Sequence, residues 1–161
     1  MNQPGTLVGK RLQWILTHPA LASSLVAAAL TGLLCGGAVT LPLFSDDLVQ
    51  IPWLECTSWN ELWTGPSPSD YYRPVWYSLW RILGAVSGGL NPLSLHLFNL
   101  LAHFVASWLT GVVAASWAVP YARSSRGRAT AACVAAALFA AFPFARQAVA
   151  WPGAVYNPLV S

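Results

Sequence analysis

From Pro19 to Phe44 the chain runs without an ionisable side chain other than the thiol of Cys35. A helix crossing the hydrocarbon core of a bilayer needs about 20 such residues. Two further apolar runs follow, from Asn91-Pro92 to Val119 and from Ala129 to Phe144. Charged residues make up 8% of the chain and hydrophobic ones 56%, where a typical globular domain is about 25% charged. Mean hydropathy is +0.53. These features imply an all-α integral membrane protein with about three transmembrane helices.

The expected layout has a cytoplasmic leader over 1–18 and spans over about 19–44, 92–119 and 129–145. An outer loop covers 45–91 and a cytoplasmic loop 120–128. A secretory signal would have an apolar region of about 7–15 residues. The first run is longer, and the bulky Leu34 before Cys35 argues against lipoprotein cleavage, so a retained helix is expected. The third run is short for a span, and a snorkelling Arg128 would extend it. The Ala148–Pro152 stretch reads as interfacial or re-entrant.

Charge sets the orientation. Lys10 and Arg11 precede the first span, and Arg123, Arg126 and Arg128 lie between the second and third. Three crossings put both clusters on one side, the cytoplasmic one by the positive-inside rule. The outer loop then carries all five acidic residues, Asp46, Asp47, Glu55, Glu61 and Asp70. The expected location is the inner, or cell, membrane, with the N-terminus cytoplasmic and the acidic loop extracytoplasmic. Trp53, Trp59, Trp63, Trp76 and Trp80 crowd this region, as suits a membrane–water interface. Pro74 can open a helix, and the apolar pattern over about 74–86 predicts an amphipathic helix on the bilayer surface. In it Val75, Trp76, Leu79, Trp80, Ile82, Leu83 and Val86 form one side, and Tyr77, Ser78 and Arg81 the other.

Several chemistries find no support. The net charge of +3 comes from few residues, with no basic run able to follow a nucleic-acid backbone. Three cysteines make no disulfide framework or C-x-x-C pattern. There is no Gly-rich phosphate loop, G-x-S-x-G elbow or H-E-x-x-H.

Three groups of residues can carry chemistry. Asp46 and Asp47 stand where the first span ends, where desolvation tunes basicity. Such a carboxylate can take a proton from a hydroxyl, or can simply mark the water boundary. Arg73, Arg81 and Arg146 lie on the outer side against the positive-inside bias. A guanidinium fork binds phosphate, or it can pair with nearby carboxylates and headgroups. His96, Asn99 and His103 share one helix face at i, i+3 and i+7. The two histidines are about 10 Å apart along the axis, too far to share a metal, so hydrogen bonding between helices is the preferred reading.

The order of F-S-D-D, Y-Y-R-P-V, G-G-L-N-P-L-S-L-H-L-F-N-L-L-A-H and A-A-A-L-F-A-A-F-P-F-A-R-Q-A-V-A-W over residues 40–155 resembles the N-terminal region of polytopic GT-C-type membrane glycosyltransferases. The likeness is to protein O-mannosyltransferases and the transmembrane-and-TPR mannosyltransferases. It implies an inverting transfer of sugar from a polyprenyl-phosphate carrier to an acceptor on the extracytoplasmic side. Asp46, Asp47 or both would serve as catalytic base, and Tyr72, Arg73, His96, Asn99 and Arg146 would bind substrate, with Arg73 and Arg146 holding the phosphate.

The partners implied are that lipid-linked sugar, membrane lipid and an acceptor whose identity is open, with no nucleic acid. No cofactor is identified; some relatives use a divalent metal, though no separate ligand set is visible. Where relatives commonly have L-H-P, this chain has Ala141-Phe142-Pro143 and lacks the polar group. The family has many more spans, so the resemblance implies a truncated GT-C-like bundle, a fragment inactive by itself. The alternative is a small non-catalytic membrane protein, a transporter subunit or assembly partner.

Overall fold

A computed structural model describes residues 14, 17–68, 72–122 and 124–154. Among them every regular element is helical: α1 (Pro19–Cys35), α2 (Asp47–Cys56), α3 (Trp59–Thr64), α4 (Pro74–Ser87), α5 (Pro92–Trp117), α6 (Ser125–Ala140) and α7 (Pro143–Ala150). Short 3-10 turns follow α1 at Gly36–Thr40 and α7 at Pro152–Ala154. Pro19–Thr40 and Pro92–Trp117 are each long and apolar enough to cross a membrane. The pair α6 and α7, broken at Ala141-Phe142 and bent by 58°, makes a third if counted as one span. Lys10, Arg11, Asp70 and Arg123 lie outside the described residues.

The chain divides into two units, 1–36 with 101–145 and 37–100 with 146–161. In the first, α1 packs on α6. The buried positions of α1 are Ala22, Ser23, Ala27, Thr31 and Cys35, and those of α6 are Ala129, Ala132, Ala136 and Ala140. Small side chains on both faces let two backbones approach closely, the packing that works where lipid replaces water. Within this unit α5 joins them at Gly111. A Cβ there would lie 2.7 Å from Ser23 Cβ and 2.8 Å from the Ala132 carbonyl oxygen. Trp108 Nε1 donates to the Ala20 carbonyl at 2.9 Å.

Helix α5 turns most of its large apolar side chains outward, Leu95 excepted. Leu93, Leu97, Leu101, Leu109 and Val113 are exposed, while His96, Asn99, His103, Ser107 and Ala115 are buried. In water that arrangement would be costly; against lipid it satisfies both faces.

In the second unit Ile51, Leu54, Leu62, Tyr77, Trp80 and Leu95 form the core, flanked by Leu43, Trp53, Trp76, Leu83 and Leu90. The tryptophans expected together at an interface divide here. Trp80 is fully buried and Trp53 packs edge-on against Tyr77 at 5.1 Å, whereas Trp59 and Trp63 are exposed. Tyr77, assigned from the sequence to the polar side of α4, is buried in the core. The exposed stripe of that helix is Val75, Leu79, Ile82 and Val86.

The stretch expected as a loop before α4 holds two helices. Ser58 and Glu61 form a reciprocal capping box that starts α3, and these hydrogen bonds hold the Glu61 carboxyl below its ordinary range. Asn91 caps α5 as expected, its Oδ1 accepting from Ser94 N at 2.9 Å.

Replacing Gly111 with Ala should destabilise the protein by about 1–3 kcal/mol, the cost of overpacking a close contact. The same change at Gly32, where an added Cβ meets nothing within 4 Å, should be neutral or mildly stabilising. Thermal unfolding in micelles, followed by tryptophan fluorescence, compares the two; equal midpoints would contradict the close approach at Gly111.

Candidate functional site

The acidic pair sits at a strained turn. Ser45 adopts φ 56°, a left-handed conformation costing a residue with a side chain about 1–2 kcal/mol. The turn starts α2 so that Asp46 stands just before the helix and Asp47 in its first turn. Asp46 is half-buried, and Ser45 Oγ donates to its Oδ1 at 3.3 Å. Asp47 is fully buried. Its Oδ1 accepts from Gly153 N at 2.8 Å, across 106 positions of chain, while its buried Oδ2 has no hydrogen-bond partner. Burial pushes the Asp47 carboxyl up to about 6, with the charge of Asp46 adding to the rise and backbone hydrogen bonds from Gly153 and Phe44 working against it.

The segment after α7 reaches Asp47 through anchors of its own. Trp151 packs on Phe44 with ring centroids 5.7 Å apart. Asn99 Nδ2 donates to the Val149 carbonyl at 3.4 Å and the Ala148 carbonyl at 3.5 Å. These carbonyls belong to the last turn of α7, where no helical donor remains. His96 plays a similar part nearby: its Nε2 donates to the Leu41 carbonyl at 3.1 Å, just beyond the 3-10 turn that follows α1. In the other unit His103 Nε2 donates to the Ala140 carbonyl at 3.3 Å, at the end of α6.

The stripe His96, Asn99 and His103 therefore bonds across elements, and its partners are backbone carbonyls at segment ends. Buried atoms without partners remain around it: His96 Nδ1, Asn99 Oδ1, Trp151 Nε1 and both amide atoms of Gln50. Gln50 shares the inner face of α2 with Asp47. Neither Gln50 nor Gly153 stands out in the sequence. The one local hint at the second is the run Trp151-Pro152-Gly153.

The other expected site residues stand beside or on α4 and α7. Tyr72 is exposed, its hydroxyl donating to the Trp63 carbonyl at 2.7 Å. Arg73 stands half-buried just before α4, and its carbonyl accepts from Tyr77 N. Arg146 is exposed on α7. Arg81 is engaged, donating from Nη1 to the Thr57 carbonyl beyond α2 and lying 5.0 Å from the Trp59 ring centroid. Among the described residues no group of three or more His, Cys, Asp and Glu is arranged to hold a metal ion, and the three cysteines form no disulfide.

Comparisons with protein-family models, with curated proteins and with solved structures give no match.

A carboxyl titrating near 6 in the folded chain and near 3.8 when unfolded binds its proton more tightly in the fold. Its contribution to stability is full below pH 3.8 and is lost as pH rises through about 6, to the extent of about 3 kcal/mol. Replacing Asp47 by Asn should flatten this limb and leave the variant more stable than the wild type at pH 7. Denaturation midpoints between pH 4 and 7, taken in micelles, check it; parallel profiles for the two proteins would contradict it.

Proposed function

We propose that this chain carries the acidic centre of a GT-C-like glycosyltransferase that moves a sugar from a polyprenyl-phosphate carrier to an acceptor on the extracytoplasmic side. The reading takes three spans, with α4 along the outer membrane surface on its exposed stripe of Val75, Leu79, Ile82 and Val86. Its N-terminus is cytoplasmic. The observation that carries it is Asp47, a carboxyl at the start of a helix that follows the first apolar run and has its proton affinity raised toward neutrality.

A base works best when its pKa lies near the working pH, and about 6 serves that end while leaving the group mostly ionised at pH 7. Asp47 takes the proton of the acceptor hydroxyl as that oxygen attacks the anomeric carbon. The bond from that carbon to the carrier phosphate breaks, and its electron pair leaves on the phosphate. Burial keeps Asp47 basic, and the charge of Asp46 adds to the effect. Arg73 and Arg146 are the cations proposed to meet the phosphate, whose developing charge is what the protein has to stabilise. Acceptor entry must displace the groups that cover Asp47.

A second reading rests on the same residue. A fully buried Asp47 bonded to Gly153 also serves as a structural tie in a non-catalytic membrane protein, a transporter subunit or assembly partner.

Membranes holding the protein and a labelled polyprenyl-phosphate sugar separate the two. Transfer should occur, with kcat/KM falling as pH drops below about 6. Asp47→Asn should lower turnover by about 10²–10⁴-fold, the usual worth of a general base. Asp46→Asn should move the acid limb to lower pH. Unchanged turnover in both variants would refute the role and leave the structural tie.

A further inference from the structure

We propose that Gly153 is a positioning residue for the Asp47 carboxylate, occupying its Oδ1 so that Oδ2 is the oxygen that takes up the proton. The inference rests on reading Asp47 as a base and adds to it the group that orients it. The two oxygens are in unlike settings: Oδ1 accepts from Gly153 N at 2.8 Å, and Oδ2 is buried with no partner. A hydrogen bond to an ionised oxygen lowers its basicity. The free lone pairs of Oδ2 are therefore the more basic, and the amide at 153 decides which oxygen they belong to.

A side chain at 153 would crowd the carboxylate. A Cβ there would lie 2.8 Å from Asp47 Oδ1 and 3.2 Å from Trp151 Nε1, with Asp46 Cβ at 3.7 Å. Any side chain would push the carboxylate off the amide. The backbone that presents this amide is itself held. Pro152 is fully buried, Trp151 packs on Phe44, and Trp151 N donates to the Gln147 carbonyl at 3.0 Å. Asn99 fixes the carbonyls one turn before. Rigid supports of this kind are what hold a reacting group in place.

In the transfer proposed above, the O–H bond of the acceptor breaks and a bond from its proton to Oδ2 forms. Oδ1 keeps its bond to Gly153 throughout, so the carboxyl does not rotate as it changes charge.

The test reads the carboxyl itself as well as turnover. Isotope-edited infrared titration of the full chain in lipid, with the Asp47 band assigned by its loss in Asp47→Asn, gives the protonation midpoint. Gly153→Ala should raise that midpoint by about one to two pH units, since a hydrogen bond to a charged group is worth about 1.5–3 kcal/mol. Phe44→Ala, which unseats Trp151 and keeps the backbone amide at 44, should raise it by less and serves if the first variant does not fold. Trp151→Phe, which keeps the ring on Phe44, should leave it where it is.

An unchanged midpoint in the folded Gly153→Ala variant, or in Phe44→Ala where only that variant folds, would overturn the proposal. A midpoint that moves together with the acid limb of turnover supports both the positioning role and the base. A midpoint that moves while the acid limb stays keeps the positioning role and removes Asp47 as the base.

Discussion

A helix inside a membrane has no water to finish its hydrogen bonds, so each polar group along it must be satisfied by the protein itself. That constraint accounts for the inward face of α5. Leu93, Leu97, Leu101 and Leu109 face out, and its histidines and asparagine are buried and donate to carbonyls that end other segments. In one unit His103 closes the end of α6. In the other, His96 and Asn99 close the chain after the 3-10 turn and the last turn of α7. Side chains that look like ligands or catalysts on a helical wheel here do the work of caps.

The same constraint shapes the acidic pair. One aspartate stays half-exposed, and the other is drawn inside with the Gly153 amide on its Oδ1. Its backbone hydrogen bonds do not offset the loss of water around the carboxylate, and the result is a proton affinity well above that of an ordinary aspartate. The strain at Ser45 and the unpartnered polar atoms of Gln50, His96 and Asn99 gather in the same unit. Costs of this kind collect where function needs them. Arg73, Arg81 and Arg146 belong to that unit as well; Arg81 is spent on a carbonyl and a ring, and Arg146 stands exposed.

The long apolar helices were legible in the sequence because absence of charge is a property of each residue in turn. The first helix gives way to a 3-10 turn at Gly36-Gly37 and ends at Thr40, short of Phe44. The third starts earlier than expected, at Ser125, since Arg126 and Arg128 are tolerated in its opening turns. Helices α2 and α3 were hidden for different reasons. Pro52 lies inside α2, and α3 is so short that only its capping box marks it. The periodicity of α4 marks it as a helix but puts all its large apolar residues on one side, whereas Trp76, Trp80 and Leu83 turn inward with Tyr77, and Val75, Leu79, Ile82 and Val86 turn out. Asp46, Asp47 and the polar stripe could be picked out by residue type. The bond from Asp47 to Gly153 could not, since it joins residues 106 positions apart and involves a backbone amide that every non-proline residue has.

The proposed chemistry needs the acidic helix and its neighbours at the outer face of a membrane. Cys56 is exposed at the end of α2, so it reports that face directly once Cys35 and Cys133 are replaced. A membrane-impermeant maleimide applied to intact cells should label Cys56, while a cysteine put at Ser124 in place of Cys56 should be labelled only after the cells are opened. Labelling of Ser124→Cys from outside, with Cys56 reached only after lysis, would contradict the orientation and with it the proposed chemistry.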